Sequence, residues 1–140
     1  MVAYDGSKDS NKAVEAACAL SKGKASVTLL HVYAMPIMVY TGAAGLPQPT
    51  VEILDEGAKR TAEAVAKKGL RLAARKGVKA KGEVIESASI VETIVTYASS
   101  EKFDLIVIGT RGNTGFKRLL VGSVSSGVLN HAHCQVLLVR

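Results

Sequence analysis

Glycines and one serine in the last third of the chain are spaced as in a binding site for an anion. Gly109 and Gly112 follow an apolar run, and Gly122 and Ser123 begin a helical pattern ten residues further on. The ends of strands and the N-termini of helices leave backbone N–H groups unpaired, and glycine lets a ligand approach that backbone closely. These residues therefore predict an anion site, and a phosphate chain is the anion we expect.

A second polar group follows the first apolar run of the chain. Asp5-Gly6-Ser7 combines a turn with a candidate helix N-cap. The Asp5 carboxylate can accept from ribose hydroxyls or hold a divalent cation beside phosphates. It can equally form a capping Asx turn, and the pattern alone leaves these two interpretations even.

Other charged or metal-binding side chains are weaker candidates. Three cations of the glycine stretch are second-tier phosphate contacts, because loop cations are usually solvated: Arg111, Lys117 and Arg118. His131, His133 and Cys134 cross a helix end and a strand start, a placement that does not converge on one ion, so no metal is expected there.

Several better-known signatures are absent. No two of the 13 glycines are spaced as G-x-G, and no G-x-x-x-x-G-K-[ST] occurs. Ser123 stands where the nucleophile elbow G-x-S-x-G requires its first glycine. The chain is therefore neither a standard dinucleotide-binding dehydrogenase nor a P-loop protein, and the hydrolase motif fails.

Length and composition predict one domain, residues 1–140. The chain is 48% hydrophobic and 4% aromatic, so small and branched aliphatic residues must fill its core. The net charge of +6 lies mostly in residues 71–140, which hold ten Lys/Arg against five Asp/Glu. Nucleic acid is an unlikely partner, because such binders interleave cations with aromatic residues.

The location expected from the sequence is the cytoplasm, since no segment reads as a signal peptide. Residues 25–51 lack Asp, Glu, Lys and Arg, but their prolines, glycines and polar groups exclude a membrane span. The two cysteines, Cys18 and Cys134, form no C-x-x-C pair and are expected as small core residues.

Hydrophobic periodicity predicts alternating strands and helices. The strands are expected at residues 2–4, 26–33, 79–85, 105–108 and 135–139, with the second central and the third at an edge. The first two helices are expected at residues 8–21, with Leu20 on the buried face, and from 51 to about 76. The other two are expected at 89–98, with Ser87 or Ser89 as cap, and at 124–131, where Val124, Val128 and His131 share a face. Residues 34–50 form a long connection, of the kind that is functional or mobile.

Such alternation indicates βαβ units and a parallel sheet covered on both faces. Ligands bind such sheets at the carboxyl ends of the strands, where the strand order reverses. If the fourth strand lies beside the first, Asp5 and the glycine stretch face one crevice. The sequence leaves this adjacency a hypothesis.

The full glycine spacing is Gly109-x2-Gly112-x9-Gly122-Ser123, and the chain also has Val-Ala-Tyr-Asp-Gly-Ser at its start and Cys-Gln-Val-Leu-Leu-Val at its end. With these motifs, essentially the whole chain resembles the ATP-binding branch of the universal stress protein (UspA-like) family. The resemblance implies a single-domain α/β fold, Rossmann-like (adenine nucleotide alpha hydrolase-like). Its open five-stranded parallel sheet has the order 3-2-1-4-5, with helices on both faces. It also implies a homodimer through residues 136–139 and ATP, or another adenine nucleotide, bound with Mg²⁺.

The resemblance also assigns the site residues. Asp5 would contact the adenosine end, and Ala3 and Val32 would line the base pocket. The residues implied to wrap ribose and phosphates are Gly109, Gly112, Gly122, Ser123 and Val124, with Ser125 as a further phosphate contact.

The function expected is that of an ATP-binding regulatory or stress-response protein with no catalytic residues and at most slow hydrolysis. One alternative is a dimeric scaffold without nucleotide. Another is a nucleotidyl-transfer or α-phosphate hydrolase enzyme of the same fold, although the histidine-rich signature of such enzymes is missing after the first strand.

Overall fold

A computed structural model of the chain describes residues 1–22, 24–34, 48–112 and 121–140, with the side chains of 48–54 excepted. Within these residues the strands are β1 (Val2–Ala3), β2 (Thr28–Tyr33), β3 (Lys81–Glu86), β4 (Leu105–Gly109) and β5 (Gln135–Val139). The helices are α1 (Lys8–Ser21), α2 (Gln48–Arg75), α3 (Ile90–Ser100) and α4 (Ser123–His131). The predicted alternation is confirmed.

The five strands form one parallel sheet in the order β3-β2-β1-β4-β5. Strand β1 lies between β2 and β4, with Val2 opposite Val107 and Ala3 opposite Ile108 on the β4 side. The hypothesis that the first and fourth strands are neighbours is therefore confirmed. The expectation that β2 is central is wrong by one position: β2 is interior, and the short β1 is the central strand.

Side chains alternate between two cores because successive residues of a strand point to opposite faces. Val2, Leu29 and Val107 pack with α1 and α2 on one face. Their neighbours Leu30 and Ile108 pack with α3 and α4 on the other face. Helices therefore cover both faces, as the near-continuous apolar runs predicted.

Helix α1 begins at the predicted cap. The Ser7 hydroxyl accepts from the Ser10 N–H at 3.1 Å, and the backbone of Ser7 is extended. The helix ends before Lys22, which is left-handed at φ 44°; Gly23, the predicted stop, lies outside the described residues. The expected burial of Leu20 is wrong, since its side chain is 57% exposed. Successive helical residues are rotated by about 100° around the helix axis, so Leu20 points away from the face that holds the buried Ser21.

Helix α2 begins at Gln48, three residues before the predicted start, and the side chains of its first turns lie outside the described residues. It ends at Arg75, close to the predicted stop. Gly77 has φ +76°, a conformation that glycine adopts without strain. The N–H of Val78 donates to the Ala73 carbonyl at 3.1 Å, so the last turn is closed by the backbone. Most of the predicted 34–50 connection lies outside the described residues.

The remaining elements refine the expected boundaries. Strand β3 is an edge strand, as predicted, although it starts two residues later and ends one later. Ser89 is the cap residue of α3. His131 is exposed, and its Nδ1 lies 2.8 Å from the Gly127 carbonyl oxygen. It lies on one helical face with Val124 and Val128, as predicted, and it is exposed because it is the last residue of α4.

Within the described parts of the chain, no helix is long and apolar enough to cross a membrane. Nor do those parts place three or more His, Cys, Asp or Glu side chains together as potential metal ligands.

Candidate functional site

A cavity of about 340 Å³ lies at the carboxyl ends of β1, β2 and β4, beside the first turn of α4. The nine site residues named from the sequence all line it: Ala3, Asp5, Val32, Gly109, Gly112, Gly122, Ser123, Val124 and Ser125. Residues separated by more than a hundred positions in the sequence thus meet in one space. The adjacency of β1 and β4 is what brings them together.

One side of the cavity is apolar. Its members belong to the core between the sheet and helices α3 and α4: Ala3, Leu30, Val32, Ile90, Ile94, Ile108 and Val124. Such a wall suits a flat, weakly polar group such as an aromatic ring, since transfer of apolar surface from water drives its binding.

The other side is the N-terminus of α4. Gly122 is the cap residue, and it makes no side-chain capping bond. The first intrahelical bond runs from the Ser126 N–H to the Gly122 carbonyl at 2.9 Å. The N–H groups of Ser123, Val124 and Ser125 therefore have no carbonyl one turn earlier in the helix. Together with the helix dipole, this end favours an anion.

Ser125 has a structural role that the sequence did not indicate. Its hydroxyl is buried and lies 3.0 Å from both the Thr110 and the Gly122 carbonyl oxygens. A hydroxyl carries one proton, so it donates to one carbonyl at a time. The Ser125 side chain thus fixes α4 to the end of β4, so the phosphate contact predicted for this residue is left to its N–H group and stays a prediction.

Asp5 forms the Asx turn that was weighed against a ligand role. Its Oδ1 accepts from the Ser7 N–H at 2.9 Å. Its Oδ2 faces the glycine stretch, because a Cβ added at Gly112 would lie only 2.7 Å from it. The Asx turn is therefore confirmed and orients the carboxylate towards the cavity lining, while the ligand role stays a prediction.

Glycine 109 is required by packing. A Cβ at this position would lie 2.7 Å from the backbone carbon of Asp9 and 2.8 Å from the backbone nitrogen of Ser10. The first turn of α1 thus rests directly on the end of β4. Each glycine of the spaced motif therefore has its own structural role. Gly109 contacts the first turn of α1, Gly112 lies against the Asp5 carboxylate, and Gly122 caps α4.

Hydrogen bonds join the two polar loops around Thr110, which is 8% exposed. Its N–H donates to the Val139 carbonyl at 2.8 Å, and its carbonyl accepts from the Gly122 N–H at 2.7 Å. Its hydroxyl donates to Asp9 Oδ2 at 3.1 Å. In addition, the Ser7 hydroxyl donates to the Arg111 carbonyl at 3.2 Å. Sequence reasoning missed this network because its bonds join separate elements, two of them across about a hundred residues.

Tyr4 also lines the cavity and was not predicted to do so. Its hydroxyl donates to Asn11 Oδ1 at 2.7 Å. Burial and, secondly, the nearby Asp5 charge raise the pKa of Tyr4. The phenol therefore stays protonated at neutral pH and keeps this hydrogen bond.

Further lining residues escaped the sequence analysis: Ser10, Leu30, His31, Ile90, Ile94 and Ile108. Strand alternation could have found Leu30, which lies two residues before Val32 on the same face. Ile90 and Ile94 carry no local signal, since the packing of α3 on the sheet places them. Among the second-tier cations, Arg111 lines the cavity, whereas Lys117 and Arg118 lie outside the described residues.

The chain is a Rossmann-like α/β protein, because it has this sheet order with helices on both faces. Its cavity lies where the strand order reverses, which is the usual ligand position in such folds. A sequence profile of the universal stress protein family matches residues 1–140, and the chain belongs to that family. The resemblance seen in the sequence is confirmed.

Curated relatives agree with this assignment. Universal stress protein MJ0531 of Methanocaldococcus jannaschii is 39% identical over 111 residues, which cover 79% of this chain and 65% of that protein. The matched part is thus just under two thirds of that relative's length. Universal stress protein YxiE of Bacillus subtilis is 33% identical over 148 aligned positions, covering 100% of this chain and 97% of that protein.

Solved structures share the fold. Universal stress protein UspA from Lactobacillus plantarum has a TM-score of 0.79 at 24% identity, covering 99% of this chain and 96% of that one. The Archaeoglobus fulgidus protein in complex with dAMP has a TM-score of 0.68 at 17% identity, covering 99% and 94%. An Arabidopsis thaliana family protein with AMP bound has a TM-score of 0.65 at 16% identity, covering 99% and 89%. At these identities the likeness establishes the fold.

Proposed function

We propose that this chain is a cytoplasmic regulatory or stress-response protein that binds ATP, or another adenine nucleotide, with at most slow hydrolysis. One observation carries the proposal. A single cavity joins an apolar wall to a helix N-terminus whose cap residue, Gly122, has no side chain. These two surfaces have the chemistry of the two ends of a nucleotide.

Different parts of the cavity would bind the base and the phosphates. The wall formed by Ala3, Val32 and their neighbours suits an adenine ring, since it is apolar and lies at the strand ends. The first turn of α4 offers backbone donors and a favourable dipole for phosphate. Asp5, between them, is a carboxylate able to accept from ribose hydroxyls.

Mg²⁺ fits the same residues. This ion keeps several waters and is commonly bound by one or two carboxylates together with the phosphates of a nucleotide. Asp5 is the acidic residue among those described around the cavity. It would hold Mg²⁺ jointly with the nucleotide, and the ion would neutralise phosphate charge.

The same lining supports slow hydrolysis at most. Efficient phosphoryl transfer needs a positioned water or other nucleophile, a group that orients it, and cations at the terminal phosphate. The described lining offers one carboxylate, that of Asp5, and one cationic residue, Arg111. Binding is therefore better supported than catalysis.

Two further observations support the proposal. The Archaeoglobus fulgidus and Arabidopsis thaliana proteins of the same fold hold dAMP and AMP. Strand β5 pairs with β4 along one edge, and its other edge is the border of the sheet. Since an unpaired apolar edge tends to pair with another chain, we propose a homodimer through residues 136–139.

Calorimetric titration with ATP and Mg²⁺ tests the function directly, with ADP, AMP and cyclic AMP compared. We expect saturable binding at one site per chain, lost in Gly122→Val, whose side chain would cover the first turn of α4. Absence of heat with every adenine nucleotide would favour the dimeric scaffold without nucleotide. A turnover number near the enzyme median of about 10 s⁻¹ would instead establish an enzyme.

Gly112→Ala is expected to weaken ATP binding by about tenfold, which corresponds to roughly 1.4 kcal/mol. The added methyl would lie 2.7 Å from Asp5 Oδ2, so the carboxylate must move away from its turn geometry. The measurement is the same titration, with a thermal melt to verify folding. Unchanged affinity would show that Asp5 does not touch the ligand. Gly57→Ala is the matched control, because no described side chain or distant backbone lies within 4 Å of its added carbon.

A further inference from the structure

Arg111 is the cationic residue in the described lining of the cavity, and Asp9 lies beside its side chain. The guanidinium Nε is 3.9 Å from Asp9 Oδ2, with the two side chains 35% and 15% exposed. Arg111 is also fixed through its backbone, since its carbonyl accepts from the Ser7 hydroxyl. The main chain of Arg111 is thus held by a hydrogen bond, whereas its side chain has only a long contact with Asp9.

The Arg111–Asp9 contact is an incomplete ion pair. A separation of 3.9 Å is beyond hydrogen-bond distance. Asp9 Oδ2 already accepts from the Thr110 hydroxyl at 3.1 Å. The Arg111 Nε atom is buried, and among the described residues it has no hydrogen-bond partner. A buried donor of a charged group without an acceptor is costly, so an anion that reaches the guanidinium would be favoured.

We propose that Arg111 discriminates nucleotides by their number of phosphates, exchanging its contact with Asp9 for the outer phosphates of ATP. The inference rests on the proposed function and assigns the specificity of the same site. A monophosphate is satisfied by the N-terminus of α4, whose dipole acts within about one turn. A longer phosphate chain carries added charge beyond that range, and Arg111 is the cation available there from the described lining.

Asp9 competes with the nucleotide for Arg111 in this scheme. It lies 3.9 Å from the guanidinium Nε without a hydrogen bond to it, and it keeps its bond from Thr110 when the guanidinium moves. Charge-assisted contacts between arginine and phosphate are stronger than a 3.9 Å ion pair. Exchange of partners therefore favours ATP over AMP.

The test compares the dissociation constants of ATP and AMP, each with Mg²⁺, in the native chain and in Arg111→Gln. Hydrogen bonds to charged groups give an expected loss of roughly 10- to 100-fold for ATP and below about threefold for AMP. Lys68→Gln removes an exposed cation on α2 and should leave the ratio of the two constants unchanged. Thermal melts verify that each variant folds.

Asp9→Asn provides a second, independent variant. Asparagine keeps an acceptor for the Thr110 hydroxyl but removes the charge that competes for Arg111. ATP affinity should therefore rise by about threefold or more, with little change for AMP. A fall in ATP affinity would overturn the exchange.

The outcomes separate this inference from the proposed function. Equal weakening of ATP and AMP in Arg111→Gln, or no weakening of either, would overturn discrimination by Arg111 while nucleotide binding stands. Failure of both nucleotides to bind the native chain would overturn the proposed function and the inference with it.

Discussion

Gly122→Asp is expected to weaken ATP binding by at least about a hundredfold while the fold is retained. Gly122 has φ −76° and ψ 166°, which any residue adopts, and its added Cβ would lie 3.3 Å from the Thr110 carbonyl oxygen, a contact that a small shift relieves. Aspartate is a strong N-cap and would turn its carboxylate onto the first N–H groups of α4. Two unit charges 4 Å apart repel by about 4 kcal/mol at an effective dielectric constant of 20, which exceeds the energy of a hundredfold loss.

Gly122→Asn is the matched control for this charge. Asparagine caps the helix similarly and has nearly the same shape, so the difference in affinity between the two variants measures the electrostatic part. Calorimetry gives the affinities, and thermal unfolding should show both variants at least as stable as the native chain. Native ATP affinity in Gly122→Asp would place the phosphates away from α4.

Gly109→Ala is expected to lower the free energy of unfolding by about 3 kcal/mol, the upper part of the range for overpacking. The new methyl would meet backbone atoms of Asp9 and Ser10 at 2.7 and 2.8 Å, and backbone cannot rotate away as a flexible side chain can. The first turn of α1 must then move off β4. In a chain of this size such a change corresponds to a drop in Tm of about 6–12 °C.

Gly57→Ala separates the steric effect from the general effect of replacing glycine. Gly57 lies on an exposed part of α2, and among the described residues no side chain or distant backbone lies within 4 Å of an added Cβ. Alanine there should raise stability by about 0.5–1 kcal/mol, because glycine disfavours helix interiors. A native Tm in Gly109→Ala would contradict the packing role and leave ligand access as the reason for that glycine.

The sequence was most informative where the physics is local. Apolar runs predicted all five strands, and the Ser7 cap and the Gly77 stop were visible as residue types at helix ends. Leu20 was misplaced because a helical face shifts by 100° at each residue, so neighbours at a helix end separate into buried and exposed positions.

Long-range arrangement could not be worked out from the residues. Periodicity does not state which strands are neighbours, and the order 3-2-1-4-5 came from the family resemblance. The glycine spacing indicated a site, yet the reason for Gly109 is the approach of α1. The apolar wall from α3 and the Asp9–Thr110 bond depend on packing between distant segments, which leaves no local pattern.

The bonds of Thr110 have a consequence for local unfolding. One residue links the end of β5, the first turn of α1 and the start of α4 through its N–H, its hydroxyl and its carbonyl. Segments joined at such a point open together as a cooperative unit. Local unfolding at the start of α4 therefore also loosens the end of strand β5, and a ligand that rigidifies the start of α4 should rigidify that strand end as well.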